Sequence, residues 1–186
     1  MIPTVVYDAN VLYPSTLRDV LIRVGIEHLV VPRWTDKILD ETFRNLAANR
    51  PDLSVERLTR TRALMNAAIP DVLVTGYQQH LDIVTLPDPG DHHVVAASLH
   101  ASASTIVTKN LRDFPAHALT PHGLTAMHPD AFLTDLTTRH PDTLARIVRQ
   151  IAHAWRANPS TDTVLDSLAV ETPETAARLH EALRTV

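Results

Sequence analysis

The chain contains no cysteine, which removes disulfides, thiolate metal sites and cysteine nucleophiles together. Glycine is scarce, at four in 186 residues, and no glycine-rich phosphate loop can be drawn from so few. That scarcity counts against a metal phosphatase acting on small substrates. Lysine is nearly absent as well: of 17 basic residues only Lys37 and Lys109 are lysine and the rest are arginine. An arginine bias follows from genomic composition as readily as from phosphate recognition. No stretch approaches the roughly 18 uninterrupted apolar residues of a membrane span. The first residues also lack the basic and long apolar segments of a signal peptide. The formal charge of −4 argues against a generally basic nucleic-acid coat, while leaving room for a local basic groove. Together these absences predict a soluble, cytoplasmic protein with no membrane contact.

What is present is ordinary globular material, 45% hydrophobic and 20% charged. A chain of this length buries roughly 70% of its unfolded surface, enough for one domain with a small appendage. The first 125 or so residues alternate strand-like and helix-like segments, the pattern of a layered α/β domain. Residues 2–7 read as a buried strand, and residues 15–24 as a helix with Leu17, Val20, Leu21 and Val24 on one face and Gly25 as its C-cap. Further helices are expected over 35–48, with Thr35 as N-cap, over 54–68, and over 91–101. Short strands are expected at Ile83-Val84, at 104–108 and at 124–127. Helices between strands imply parallel neighbours. From Asp130 onward only helical patterns remain, over 130–138, 141–157, 161–168 and 173–184, punctuated by His140-Pro141, Asn158-Pro159-Ser160 and Thr172-Pro173.

The first strand ends in Asp8-Ala9-Asn10, where an open α/β sheet presents its ligand-binding edge. If strand geometry continued, Asp8 and Asn10 would point the same way; equally, Asp8 could simply cap a following helix. A later strand empties into Thr108-Lys109-Asn110-Leu111-Arg112-Asp113. Between them lie Glu41, at the border of a helical apolar stripe, and Asp88-Pro89-Gly90-Asp91 at the start of a helix. Asp91 there is explained by capping as well as by function, and Asp88 reads as the acid that organises the turn. His92 and His93 diverge by about 100° on a helix, which makes a shared zinc ion unfavourable and chance neighbours the better reading. Several acids meeting at one sheet edge without cysteine suggest a hard-metal site for Mg²⁺ or Mn²⁺.

The segments Val6-Tyr7-Asp8-Ala9-Asn10-Val11-Leu12, Ile38-Leu39-Asp40-Glu41, Asp88 to Ala97 and Ile106 to Pro115 resemble, in order and spacing, the PIN domain, and more narrowly the VapC-type ribonuclease toxins of toxin–antitoxin pairs. The resemblance covers roughly residues 2–128. It implies a PIN-like parallel sheet flanked by helices over 1–128, with a small all-α C-terminal module over 129–186 similar to the one that a subset of these toxins carries. It implies a Mg²⁺- or Mn²⁺-dependent endoribonuclease, with an RNA substrate, a cognate antitoxin and a homodimeric state. Asp8, Glu41 and Asp91 match the family's first three acids. Asn110 stands where the fourth acid usually falls, which makes Asp113, one turn later, the candidate for that role. On this resemblance Asp8, Glu41, Asp91 and Asp113 are the catalytic candidates, Asp8 and Asp91 the metal ligands, and Asn10, Thr108, Asn110 and Arg112 the substrate-binding ones. Arg33 and Arg44, with Trp34 stacking on a base, are further candidates for RNA contact, whereas Arg57, Arg60 and Arg62 read as a solvated helix face.

Three other families or roles share some of these residues. Asp91-His92-His93 matches the name-giving motif of the DHH phosphoesterases, but that family needs further Asp and His motifs on other strands, and this chain is short for it. A haloacid-dehalogenase phosphatase needs Asp-x-Asp after the first strand, where this chain has Asn10. A non-catalytic PIN-like module that binds RNA or protein is the alternative that Asn110 supports.

Overall fold

The computed structural model describes residues 2–155 and 159–184. Among these residues a four-stranded, fully parallel sheet runs in the order β2-β1-β3-β4, with β1 at Thr4–Tyr7, β2 at Val31–Arg33, β3 at Thr105–Val107 and β4 at Thr125–Met127. The two central strands carry the β-branched runs that are buried on both faces, as expected for parallel strands covered by helices. Val6 pairs with Arg33 on one side and Ile106 on the other, so the ends of β1 and β3 lie side by side.

Helices fill the crossovers. After the single turn α1 (Ala9–Leu12), α2 (Ser15–Ile26) leads to β2; α3 (Asp36–Asn49), α4 (Val55–Ala68) and α5 (His92–His100) lead to β3; α6 (Ala116–Leu119) precedes β4. Thr35 caps α3 by accepting from Ile38 N at 3.1 Å. The last helices are α7 (Pro129–Arg139), α8 (Pro141–Ala154), α9 (Thr161–Ala169) and α10 (Pro173–Arg184). They share one hydrophobic core with the sheet: Phe132 of α7 meets the Tyr7 ring edge-on at 6.3 Å, and α8 lies against α2. Polar contacts follow the same seam, with Thr16 Oγ1 2.7 Å from Ser167 Oγ and Lys109 Nζ 2.9 Å from Glu171 Oε2.

Several expectations are corrected. Gly25 is not a C-cap; α2 runs through it, and a Cβ there would stand 2.4 Å from Pro32 Cγ, so glycine serves the close approach of α2 to β2. His28, at φ 55°, takes the left-handed position beyond the helix. Ile83-Val84 forms no strand: Ile83 is exposed in a turn, and the extra pairing is a bridge between Trp34 and Leu73 at the β2 edge. His128 caps α7 by accepting from Asp130 N, so the helix begins just before residue 130, while the Asp130 side chain accepts from Glu174 N and Thr175 N at 3.1 and 2.8 Å and caps α10. The 141–157 helix ends at Ala154, and residues 156 and 157, with Asn158 of the expected break, lie outside the described residues.

Candidate active site

The acids meet where β1 and β3 end. Asp8 follows β1 directly, is 5% exposed, and caps α1 by accepting from Ala9 N at 2.7 Å through Oδ1. The chain turns helical at Ala9, so strand alternation does not carry Asn10 onto the same side. The two side chains converge all the same, because Asn10 Nδ2 donates to Asp8 Oδ2 at 2.6 Å and to Thr108 Oγ1 at 2.9 Å. Thr108, at the end of β3 and fully buried, donates to Asp8 Oδ2 at 2.7 Å and accepts from Asn110 N at 3.0 Å. Asn10 Oδ1 accepts from Lys109 N at 2.9 Å. The two central strands are therefore stitched together through Asp8, and the cap reading of this residue holds. Thr108 and Asn10 are engaged in this network rather than open to a substrate, which corrects the expectation for Thr108 in particular.

Two tight turns bring the other acids. Asp88 accepts from Gly90 N at 2.7 Å and organises the turn before α5, as its spacing predicted. That turn also puts its carboxylate beside those of Asp91 and Asp113, each offering an oxygen within 4.8 Å of the others. Asp113 sits in the turn 111–113, where Asn110 Nδ2 donates a short hydrogen bond to its Oδ2. Burial, followed by the charges of Asp8, Asp88 and Asp113, pushes the Asp91 carboxyl up from 3.8 to about 6. Burial raises Asp8 too, against the hydrogen bonds from Thr108 and Ala9 and with the help of Glu41. Glu41 reaches the cluster from α3, with Oε1 3.1 Å from Nε2 of the buried His93.

The donor set is hard oxygen, and separations under 4.8 Å suit ligands around one small divalent ion, whose opposite ligands stand about 4 Å apart. The chemistry of the residues therefore fits Mg²⁺ or Mn²⁺. Asp88 is the member that sequence reasoning left out, taken for a turn residue; a second carboxylate three positions before Asp91 was the available signal. His93 reads in the sequence as a chance neighbour of Asp91, and only the fold places it against Glu41.

The RNA-contact candidates fare differently. Arg112 projects from the site loop with 88% of its side chain exposed, 3.7 Å from Asp113. Trp34 is fully buried, with Nε1 donating to Asn66 Oδ1 at 2.9 Å, and cannot stack on a base. Arg33 donates to the Asp71 carbonyl, and Arg44 lies exposed on α3. Arg57 and Arg60 are exposed as expected, but Arg62 pairs with Asp36 at 2.8 Å and Asp40 at 2.5 Å and clamps α4 to α3.

Comparison with known proteins agrees with this geometry. The PIN domain family matches residues 4–112, and the VapC50 C-terminal domain matches residues 129–181. A Mycobacterium tuberculosis (strain ATCC 25618 / H37Rv) protein named "Putative ribonuclease VapC50" is 36% identical over 89 residues, covering 47% of this chain and 53% of that protein. The aligned part thus spans about half the length of the curated relative. No solved structure matches. With more than half of its length matched and the acids at the carboxyl ends of a parallel sheet, the chain belongs to the PIN domain family.

Proposed function

We propose that this protein is a Mg²⁺- or Mn²⁺-dependent endoribonuclease and the toxin of a type II toxin–antitoxin pair. The observation that carries the reading is the convergence of Asp8, Asp88, Asp91 and Asp113 at one sheet edge, where Asp91 is pushed up to about 6 largely by burial and by its fellow acids. Uncompensated carboxylates at that spacing call for a cation. The relative's printed name and the family membership support the same chemistry.

Asp91, Asp88 and Asp113 would hold the ion, with Asp8 as a fixed neighbour whose orientation Asn10 and Thr108 set. A bound divalent ion supplies Lewis-acid charge that lowers the pKa of the attacking water and offsets charge on the phosphoryl oxygens. Glu41, partly exposed at the cleft, would accept a hydrogen bond from the attacking water and orient it. Asn110 and Arg112 meet the RNA backbone at the cleft mouth, the arginine offering a planar fork to phosphate. A cleft of acids also invites a cationic side chain, which is how a cognate antitoxin would close it.

Residues 1–128 form the nuclease domain in this reading and residues 129–186 a helical module that buttresses it through the common core. No helix among the described residues is long and apolar enough to cross a membrane. In this reading the protein works in the cytoplasm as a homodimer. The deciding experiment is cleavage of total RNA with Mg²⁺, Mn²⁺ or EDTA, beside Asp8→Asn and Asp91→Asn. Metal-dependent fragments that vanish in both variants are expected. Intact RNA in every lane, from protein free of antitoxin, would favour a non-catalytic binding module instead.

A further inference from the structure

His93 has no part in the chemistry above, and its surroundings are unusual. It stands two residues after Asp91, about 200° around the helix, so it turns inward where the acid faces the cleft. The ring is 2% exposed, and neither nitrogen has a hydrogen-bond partner among the described residues. A space-filling side chain at this point would be apolar, because a buried polar group without a partner is destabilising. Nε2 nevertheless lies 3.1 Å from Glu41 Oε1, close enough for a hydrogen bond but out of line for one.

We propose that His93 is a positioning residue for Glu41. With the proton on Nε2, the ring donates to Oε1 after a small turn of the carboxylate. Glu41 has room for that turn, since 28% of its side chain is exposed and it makes no other ion pair among the described residues. The bond holds Glu41 over the cleft beside Asp8, where a long side chain would otherwise sample several rotamers. Glu41's chemical role rests on the nuclease reading; the contact between the two side chains does not.

The test has one arm for each. Nitrogen-15 NMR of the histidine rings in the full-length protein is expected to show one ring as the Nε2–H tautomer with a slowly exchanging proton. Glu41→Ala should abolish that protection. An Nδ1–H tautomer, or a signal indifferent to Glu41→Ala, would overturn the proposal. In cleavage assays His93→Leu fills the space without a donor, and kcat is expected to fall about tenfold or more with KM for RNA nearly unchanged. His93→Gln, whose amide can donate from nearly the position of Nε2, should recover most of the loss. Equal defects in folded Leu and Gln variants, or none in either, would refute positioning. If the wild-type protein cuts no RNA, the nuclease reading falls, and the ring signal alone decides whether His93 holds Glu41.

Discussion

The acid cluster has two halves built on opposite principles. Asp8 is held by the sheet: three donors from Ala9, Asn10 and Thr108 fix both its oxygens in a buried place between two strands. Asp88, Asp91 and Asp113 are held by short turns, with their carboxylates crowded within 4.8 Å and Asp91 driven up to about 6. The first half is a finished hydrogen-bonded structure. The second is an arrangement whose charges repel until something positive arrives. A rigid anchor beside a set of ligands that responds to a cation is what a metal-dependent hydrolytic site requires, and the two halves should answer differently to the same chemical change.

The largest difference is expected from removing one charge in each half, measured by urea unfolding at pH 7 in EDTA. In Asp8→Asn the new amide nitrogen must face either Ala9 N or the Asn10 and Thr108 donors, so one hydrogen-bonded oxygen is replaced by a donor. The loss should be about 1–3 kcal/mol. Asp91→Asn removes a carboxylate that repels its neighbours, and should be neutral or stabilising. Equal destabilisation by both would erase the distinction between the halves, whatever it did to catalysis.

The next effect is the pH dependence that Asp91 contributes, read as the difference between wild type and Asp91→Asn. Asp91 titrates near 6 in the folded chain and near 3.8 when unfolded. Between those values the folded state binds a proton that the unfolded state has released, so its contribution to stability is full below about pH 4 and is lost as pH rises through 6. The apo wild type should therefore lose stability relative to Asp91→Asn across that window and run parallel to it above. Saturating Mn²⁺ should reverse the trend, because the ligands must be ionised to bind, with a gain of about 2.7 kcal/mol at a hundredfold excess over Kd. Chemical denaturation from pH 4 to 7.5, with and without Mn²⁺, reads both.

The contrast between the halves also separates what the chain reveals before folding from what it hides. The β-branched run ending in Asp8, the capped helices and the apolar stripes of the tail are local patterns, and they persist as β1, α3 and α7 to α10. β2 was hidden because it is three residues long with a central proline, which is tolerated at the sheet edge where it lies. Ile83-Val84 looked like a strand only because two β-branched residues are too few to distinguish strand from turn. Asp8, Asp91 and Asp113 were legible from their places after strands and at a helix start, whereas Glu41, inside α3, stood out only through the resemblance. Asp88 and His93 were not legible, since the first depends on how a turn folds back toward Asp113 and the second on the fold bringing Glu41 of α3 to a ring on α5. Trp34 misled for the same reason, as its burial is decided by Tyr7 and Asn66, distant in sequence.

The smallest expected effect concerns Asn110, where the turn-built half borrows a hydrogen bond. Its Nδ2 donates to Asp113 and gives that carboxylate the kind of fixed orientation Asp8 receives from Thr108. Asn110→Asp exchanges this donor for a like charge, which should lower apo stability by at most about 1 kcal/mol on a partly exposed loop. It also adds a fourth carboxylate to the Asp88, Asp91 and Asp113 set, and Mn²⁺ affinity by calorimetry should rise a few-fold if charge count governs that set. A fall in affinity would mean that the amide's hold on Asp113 matters more than the charge it withholds. The turn-built half would then be preorganised by the same device as the strand-built one, and the repulsion at Asp91 would be the one true difference between them.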